Sequence, residues 1–283
     1  MKIGLVIEGG GFRGVFCEGI TSFFLENNIE FPYIIGVSMG AINATNYVSK
    51  QKKRNLEIIE RFIDDKRYIS KRNLIKTGNL FGMDFIFNDI ARIHHPFDFD
   101  AYNEDQSEMV IVAMNCQTGQ SSYVYKSKNT TDHMMTALRA SSSLPFVSKK
   151  VMMNDVPYLD GGITDPIPVQ KALEDGCDKV VVLLTRDKKY IKEAFKGAPI
   201  GKVMYKDFPA VVKGLEERHN VYSRSQHVLE LLEAEGKALI LCPKEPLDVS
   251  RTEKDFSKIK FAFDAGYNLA KDKHEDLLNF IKE

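Results

Sequence analysis

The sequence predicts an α/β protein whose central sheet is mostly parallel and carries helices on both faces. Three observations lead there. Short apolar runs such as Lys179–Thr185, KVVVLLT, are continuous rather than alternating, which marks strands buried on both sides. Between them lie segments with apolar residues at helical spacing. The two kinds of segment succeed one another along nearly the whole chain, and a strand–helix–strand order closes most simply into a parallel sheet.

Gly4 to Ile7, within KIGLVIE, is the first buried strand and runs straight into Gly9-Gly10-Gly11-Phe12-Arg13-Gly14. Val15 to Asn27 follows as a helix whose Phe16, Ile20, Phe23 and Phe24 make a face for the sheet. Pro32 breaks before the second strand, Tyr33 to Val37, which ends in Gly36-Val37-Ser38-Met39-Gly40. The run Ala41, Ile42, Ala44 and Thr45 begins a helix, and its small side chains let the backbone approach the sheet closely. Leu56, Ile59, Phe62 and Ile63 support another amphipathic helix. A basic stretch (Lys66 to Lys76) and an aromatic one (Phe81 to Phe99) follow, and residues 50–100 read as an insert. Its phenylalanines either fill core or form a lid over a pocket.

Met109–Met114 is a core strand, with Ser121–Tyr125 as its neighbour across the turn at Thr118-Gly119. Asp132–Ala140 is helical. Val151–Leu159 reads as a hairpin turning at Asn154-Asp155, and it delivers Asp160-Gly161-Gly162. Pro166 and Pro168 open a helix, Val169–Glu174. Beyond the strand at Lys179–Thr185, residues 186–206 hold seven basic side chains against two acidic ones. Then come a helix, Tyr222–Glu233, with Val228, Leu231 and Leu232 inward, a strand, Ala238–Leu241, and a closing helix, Ala265–Ile281. No internal repeat interrupts the pattern. The expectation is one domain over residues 1–283, with the insert at about 50–100 and a helical C-terminal region from about 186.

Composition narrows the function classes. Lys+Arg and Asp+Glu are both 39, so no whole-molecule field draws the chain to nucleic acid. At 43% hydrophobic and 28% charged it reads as a soluble globular protein. Cys17, Cys116, Cys177 and Cys242 are far apart without a CxxC pair and are expected as free thiols. No apolar run approaches the roughly 20 residues needed to cross a bilayer, and nothing resembles a signal peptide. A cytoplasmic protein is expected, with peripheral contact to an anionic membrane left open. The oligomeric state is not legible.

Gly9, Gly11 and Gly14 satisfy GxGxxG between a strand and a helix, the context of a dinucleotide fingerprint. That reading requires an acidic residue near the end of the second strand. The strand instead ends in Val37-Ser38, and Glu30 lies before it. A GxxxxGK[ST] phosphate loop is also missing from the sequence. Successive glycines can instead point consecutive N–H groups one way, a nest for negative charge. If the first two strands are parallel neighbours, that loop lies beside Ser38, with amides of Gly10 or Gly11, and of Phe12, aimed at an oxyanion. Arg13 either fixes the loop, brings positive charge to a phosphate, or is a solvated surface arginine.

Ser38 sits in a GxSxG pattern between a strand and a helix, the setting of a nucleophile elbow. Its hydroxyl needs a base. Among the six histidines, His219 and His227 have the chain order for a conventional triad, but both fall in polar helical surroundings. Asp160, after an apolar segment and before two glycines, is the better placed partner, with Asp165 its nearest competitor. His94-His95 lacks companions for a zinc site.

These pieces together, GGGFRG at 9–14, GVSMG at 36–40 and DGG at 160–162, with Ala140–Pro145 between serine and aspartate, resemble the patatin-like phospholipase family over roughly residues 3–185. The resemblance implies a three-layer α/β/α fold and hydrolysis of lipid acyl esters by a Ser38–Asp160 dyad without histidine, metal or cofactor. It implies an oxyanion hole from Gly10, Gly11, Phe12 and Arg13, and a lipid or other acyl ester as substrate. The readings kept beside it are a soluble carboxylesterase or thioesterase and a non-catalytic lipid-binding module.

Overall fold

The structure, a computed structural model, describes residues 1–282. Among these, eight strands form one sheet: β1 (Ile3–Ile7), β2 (Tyr33–Val37), β3 (Glu108–Asn115), β4 (Ser121–Tyr125), β5 (Val151–Met153), β6 (Val156–Asp160), β7 (Lys179–Leu183) and β8 (Ala238–Leu241). The order is β5-β6-β3-β2-β1-β7-β8, with β4 also paired to β3. From β3 through β8 the neighbours are parallel, while β4, β5 and β6 add an antiparallel end. The expected hairpin turns at Asn154 and Asp155, whose φ values of 48° and 62° suit a tight two-residue loop.

The helices are α1 (Val15–Glu26), α2 (Met39–Val48), α3 (Arg54–Phe62), α4 (Lys71–Thr77), α5 (Phe99–Glu104) and α6 (Thr131–Ser141) in the first half. The second half adds α7 (Val169–Glu174), α8 (Ala198–Met204), α9 (Pro209–Ala234), α10 (Phe256–Asp272) and α11 (His274–Lys282). Along β1, Leu5 and Ile7 pack with α1, α2, α6, α10 and α11, while Val6 packs with α7 and α9 on the opposite face. All three side chains are fully buried. Each contributes on the order of 1.5–3 kcal/mol, and the unbroken apolar run is what a strand covered on both sides requires. The result is the three-layer α/β/α arrangement. No helix among the described residues is long and apolar enough to cross a membrane.

One topological detail positions the site. β2 pairs with β3 as far as Val37–Val112. β4 overlaps that stretch, pairing from Val110 to Met114, so it occupies the other edge of β3. From Ala113 onward β6 pairs with β3 too, Asp160 opposite Ala113. With β4 on the far edge, β6 takes over the edge that β2 vacates. The residue after Val37 and the last residue of β6 therefore arrive at one point.

The phenylalanines of the segment 50–100 divide between core and cavity wall. Phe85 is buried edge-on against Phe62, at 5.4 Å and 88°, whereas Phe81, Phe87 and Phe99 line a cavity. A π-helical stretch, Phe85–His94, forms part of that wall. The C-terminal expectations need correction. α9 starts at Pro209 rather than Tyr222, with proline in its first turn where its missing N–H is harmless. Leu231 is 51% exposed rather than inward, because Leu229 and Leu232 take the buried seam. The closing helix is two helices separated at Lys273, a break that no glycine or proline announces.

α10 crosses α1 at very short range. A Cβ on Gly266 would lie 1.9 Å from the Phe16 carbonyl oxygen, and one on Gly19 would lie 2.1 Å from that of Phe263. Neither backbone can yield without separating the helices. Gly266→Ala is accordingly expected to destabilise the protein by about 1–3 kcal/mol, read as a lower urea midpoint. Gly201→Ala in α8, whose Cβ would meet its nearest neighbour at an ordinary 3.6 Å, should leave the midpoint unchanged or raise it.

Candidate active site

Ser38 occupies the turn between β2 and α2 with φ 57° and ψ −126°, a region that L-residues rarely adopt. Gly40 makes the turn possible by close approach. A Cβ there would lie 2.3 Å from the Ile7 carbonyl and 2.6 Å from that of Glu8. The Ser38 carbonyl accepts from the amides of Ala41 (3.0 Å) and Ile42 (3.2 Å), so the first turn of α2 begins at the serine. Its amide donates to the Ser141 hydroxyl at 2.7 Å, from the end of α6. The backbone is thus held from both sides, and the side chain is left free to point at its partner.

That partner is Asp160. Ser38 Oγ donates to Asp160 Oδ2 at 2.7 Å, and the Gly162 amide donates to Asp160 Oδ1 at 2.7 Å. The Asp160 amide is anchored on the Ser143 carbonyl at 2.9 Å. Asp160 is only 3% exposed, and this burial lifts its pKa above the usual carboxylate range. The Ser38 hydroxyl, the positive charge of Arg218, the Gly162 amide and Arg251 act in the opposite direction. Asp165, the competing carboxylate, instead accepts from the Tyr123 hydroxyl at 2.9 Å, and burial raises it to about 6.

The glycine loop lies against the same turn. Gly11 adopts φ +57°, which turns the loop into a short 3-10 stretch, Gly11–Gly14. Among the described residues neither the Gly10 nor the Gly11 amide has a protein acceptor. Phe12 differs from expectation. Its amide donates to the Arg251 carbonyl at 3.3 Å, and its buried ring stacks on Tyr68 and meets Phe81 edge-on. The loop therefore presents two free amides, with Phe12 serving as packing. Arg13 is 6% exposed rather than solvated, and its Nε has no partner.

Two cavities meet at Ser38. The larger, about 300 Å³, is walled by apolar side chains including Ile58, Phe81, Phe87, Phe97 and Leu138. The smaller lies on the side of the glycine loop and contains Asp160, Arg13 and Arg218. Gly11, Ser38 and Leu144 line both. Neither histidine considered for a triad reaches them. His219 Nδ1 lies 2.9 Å from the Glu216 carbonyl of its own helix, and His227 is exposed beside Glu230.

Sequence reasoning missed four contributors. Ser141 stood within the Ala140–Pro145 stretch without an assigned task. Glu8, Arg218 and Arg251 carried no signal at all: a buried carboxylate after a strand, one arginine among helix charges, one in a loop. Glu8 accepts from the Thr185 amide (2.5 Å), the Thr185 hydroxyl (3.0 Å) and the Tyr222 hydroxyl (2.9 Å), tying β7 and α9 behind the glycine loop.

A strained serine between a parallel strand and a helix, within a hydrogen bond of a carboxylate, defines an α/β protein of the nucleophile-elbow kind. A family model described as patatin-like phospholipase matches residues 5–173, more than half of the chain, and the chain belongs to that family. A second model, a domain of unknown function (DUF6363), matches residues 208–282. Uncharacterized protein YjjU of Escherichia coli (strain K12) is 28% identical over 196 residues, 65% of this chain and 52% of that protein. The chain thus matches about half the length of that relative. Probable lipid hydrolase 463L of Invertebrate iridescent virus 6 is 23% identical over 82% of this chain and 89% of its own length. Lysophospholipase nte1 of Aspergillus terreus is 23% identical over 63% of this chain and 12% of that protein. Among solved structures, VipD from Legionella pneumophila shares the fold, with a TM-score of 0.51 and 13% identity over 96% of this chain and 66% of that one.

Ser141→Ala should leave the buried Ser38 amide without an acceptor, a loss of about 1–3 kcal/mol visible in thermal unfolding. An unchanged melting temperature would mean the turn is held by other contacts.

Proposed function

We propose that the protein is a serine acyl hydrolase that cleaves carboxylic esters of lipids, phospholipids among them, through an acyl-enzyme on Ser38. The observation that carries this reading is the 2.7 Å hydrogen bond from Ser38 Oγ to Asp160 Oδ2 at the mouth of an apolar cavity. Family membership supports lipid esters as the substrate class.

In the first half-reaction Asp160 takes the hydroxyl proton as Ser38 Oγ attacks the ester carbonyl carbon. The carbonyl electron pair moves onto oxygen, and that oxyanion accepts from the Gly10 and Gly11 amides near the positive end of α2. Collapse of the tetrahedral adduct expels the alcohol, which takes the proton from Asp160. Water then gives a proton to Asp160 as it attacks the acyl carbonyl. The carboxylic acid leaves as the proton returns to Ser38. Through both halves the acyl chain lies among Ile58, Phe81, Phe87 and Leu138. Exposed Ile191, Ile200 and Val203, at 81%, 63% and 76%, stand among the lysines of the 186–206 stretch and suit peripheral contact with an anionic lipid surface.

A fluorophosphonate probe should label the native protein and fail on Ser38→Ala. Asp160→Asn should lose about 10²–10⁴-fold in kcat/KM on a lysophospholipid, whereas His219→Ala and His227→Ala should match the parent. Loss in a histidine variant with Asp160→Asn active would install a conventional triad in place of the dyad.

The pH profile offers an independent check. Asp160 acts only when ionised, and its pKa stands above the usual carboxylate range chiefly through burial. The rate should therefore rise with pH through a midpoint above that of a free aspartate. Arg218→Met removes a positive charge that favours the ionised form, so the same limb should move to higher pH. A limb that moves down, or sits at the free-aspartate value, would exclude Asp160 as the base.

A further inference from the structure

The smaller cavity beside Ser38 has an unusual charge distribution. Arg13, Arg186, Lys192, Arg218 and Arg251 all line it, and only two carboxylates, Glu8 and Asp160, share the space. Among the described residues none of the five cations lies within ion-pair distance of a carboxylate oxygen. Arg218 Nε donates to the Gly162 carbonyl at 2.6 Å. Arg186 stands 4.4 Å from the Tyr190 ring centre and Lys192 5.3 Å from that of Tyr222. Arg13 is 94% buried in this wall with its Nε unpartnered.

Buried charges are ordinarily paired, because an isolated one loses its hydration without compensation. Here Arg13 is buried, Arg186, Lys192 and Arg218 are half-buried and Arg251 is exposed, yet like charges are gathered instead. Burial, followed by the charges of Arg218 and Arg251, lowers Lys192 to about 7. Burial, with Arg186 and Arg251 beside it, lowers Arg13 to about 10. Glu8 relieves little of this. Burial raises its pKa, and its oxygens are already occupied by Thr185 and Tyr222. An anion in the cavity would relieve this repulsion.

We infer that this cavity is a subsite for a phosphate monoester carried by the leaving alcohol of the ester substrate. The inference deepens the acyl-hydrolase reading and rests on it. Ser38 and Gly11 line both cavities, so an ester held at the hydroxyl has its acyl chain on the apolar side and its alcohol on the cationic side. The excess of positive charge calls for a dianion. A zwitterionic phosphocholine would bring a quaternary ammonium among the arginines. The cavity is also about 30 Å³ against 300 Å³ for its neighbour, which suits a compact group. Guanidinium forks match phosphate oxygens in geometry as well as charge. Four of the five cations lie outside the part matched by the patatin model, and Arg218 and Arg251 fall within the 208–282 match. In this chain the C-terminal region would thus help set the headgroup.

The test compares a monoacylglycerol, its 3-phosphate and the corresponding lysophosphatidylcholine with one acyl chain throughout. The phosphate monoester should be preferred over both by about 10–100-fold in kcat/KM, the worth of one or two charge-assisted hydrogen bonds. In Arg251→Gln and Lys192→Gln that ratio should fall toward one. Equal rates for the three esters, or a preference that survives both variants, would overturn the inference. A binding arm on Ser38→Ala separates the subsite from the chemistry. Glycerol 3-phosphate should raise its melting temperature, and should not do so once Arg251→Gln is added. Binding with no turnover of any ester would defeat the acyl-hydrolase reading and leave the anion site standing. No binding would defeat the subsite. Inorganic phosphate that binds as well as glycerol 3-phosphate, with no preference among the esters, would make this a free-anion site and overturn the headgroup role.

Discussion

The candidate site depends on a single edge of β3 shared by two strands. β2 holds that edge up to Val112, β6 holds it from Ala113, and the hydroxyl of Ser38 meets the carboxylate of Asp160 where one gives way to the other. The two residues are 122 positions apart in the chain. Their 2.7 Å separation is therefore a property of strand register. A slip of one residue in β6 would turn Asp160 to the opposite face of the sheet, so the pairing of Val151–Met153 with Val156–Tyr158 secures the carboxylate from behind.

Electrostatics set the second constraint. A carboxylate that is nearly inaccessible to water would ordinarily be neutral. Asp160 is instead surrounded by a hydroxyl, an amide and the field of two arginines, which limit the rise in its pKa. Arg218 has two connections here, its charge acting on Asp160 and its Nε holding the Gly162 carbonyl beside it. Glu8 shows the same principle in a supporting place, where three donors tie it to β7 and α9. The two carboxylates share no hydrogen bond, but the charge of Arg218 interacts with both Asp160 and Glu8.

Much of this was legible in the sequence because the relevant signals were local. Continuous apolar runs located the parallel strands, Asn154-Asp155 located the hairpin, and Gly36 to Gly40 located the strained turn. Ser38 and Asp160 each had a local signature, although only the relay along β3 explains why they touch. What escaped was long-range or face-dependent. The engagement of the Phe12 amide by Arg251 joins residues 239 positions apart. Leu231 faces outward because three leucines crowd the last turns of α9, Leu229, Leu231 and Leu232, and only the fold decides which two of them face inward. Arg218 sits in a stretch, EERHN, whose polarity reads as solvent exposure, and nothing local marks the one arginine that turns inward.

The glycine crossing of α1 and α10 has a bearing on how the chain is made. α1 leaves the ribosome nearly 250 residues before the backbone that seals it, around Phe263 and Gly266. Throughout that interval the groove beside Phe16 and Gly19 is bare. α1 waits that long for its cover, so a polypeptide stalled or truncated before α10 presents a sticky stripe that holdase chaperones and quality-control proteases are built to recognise.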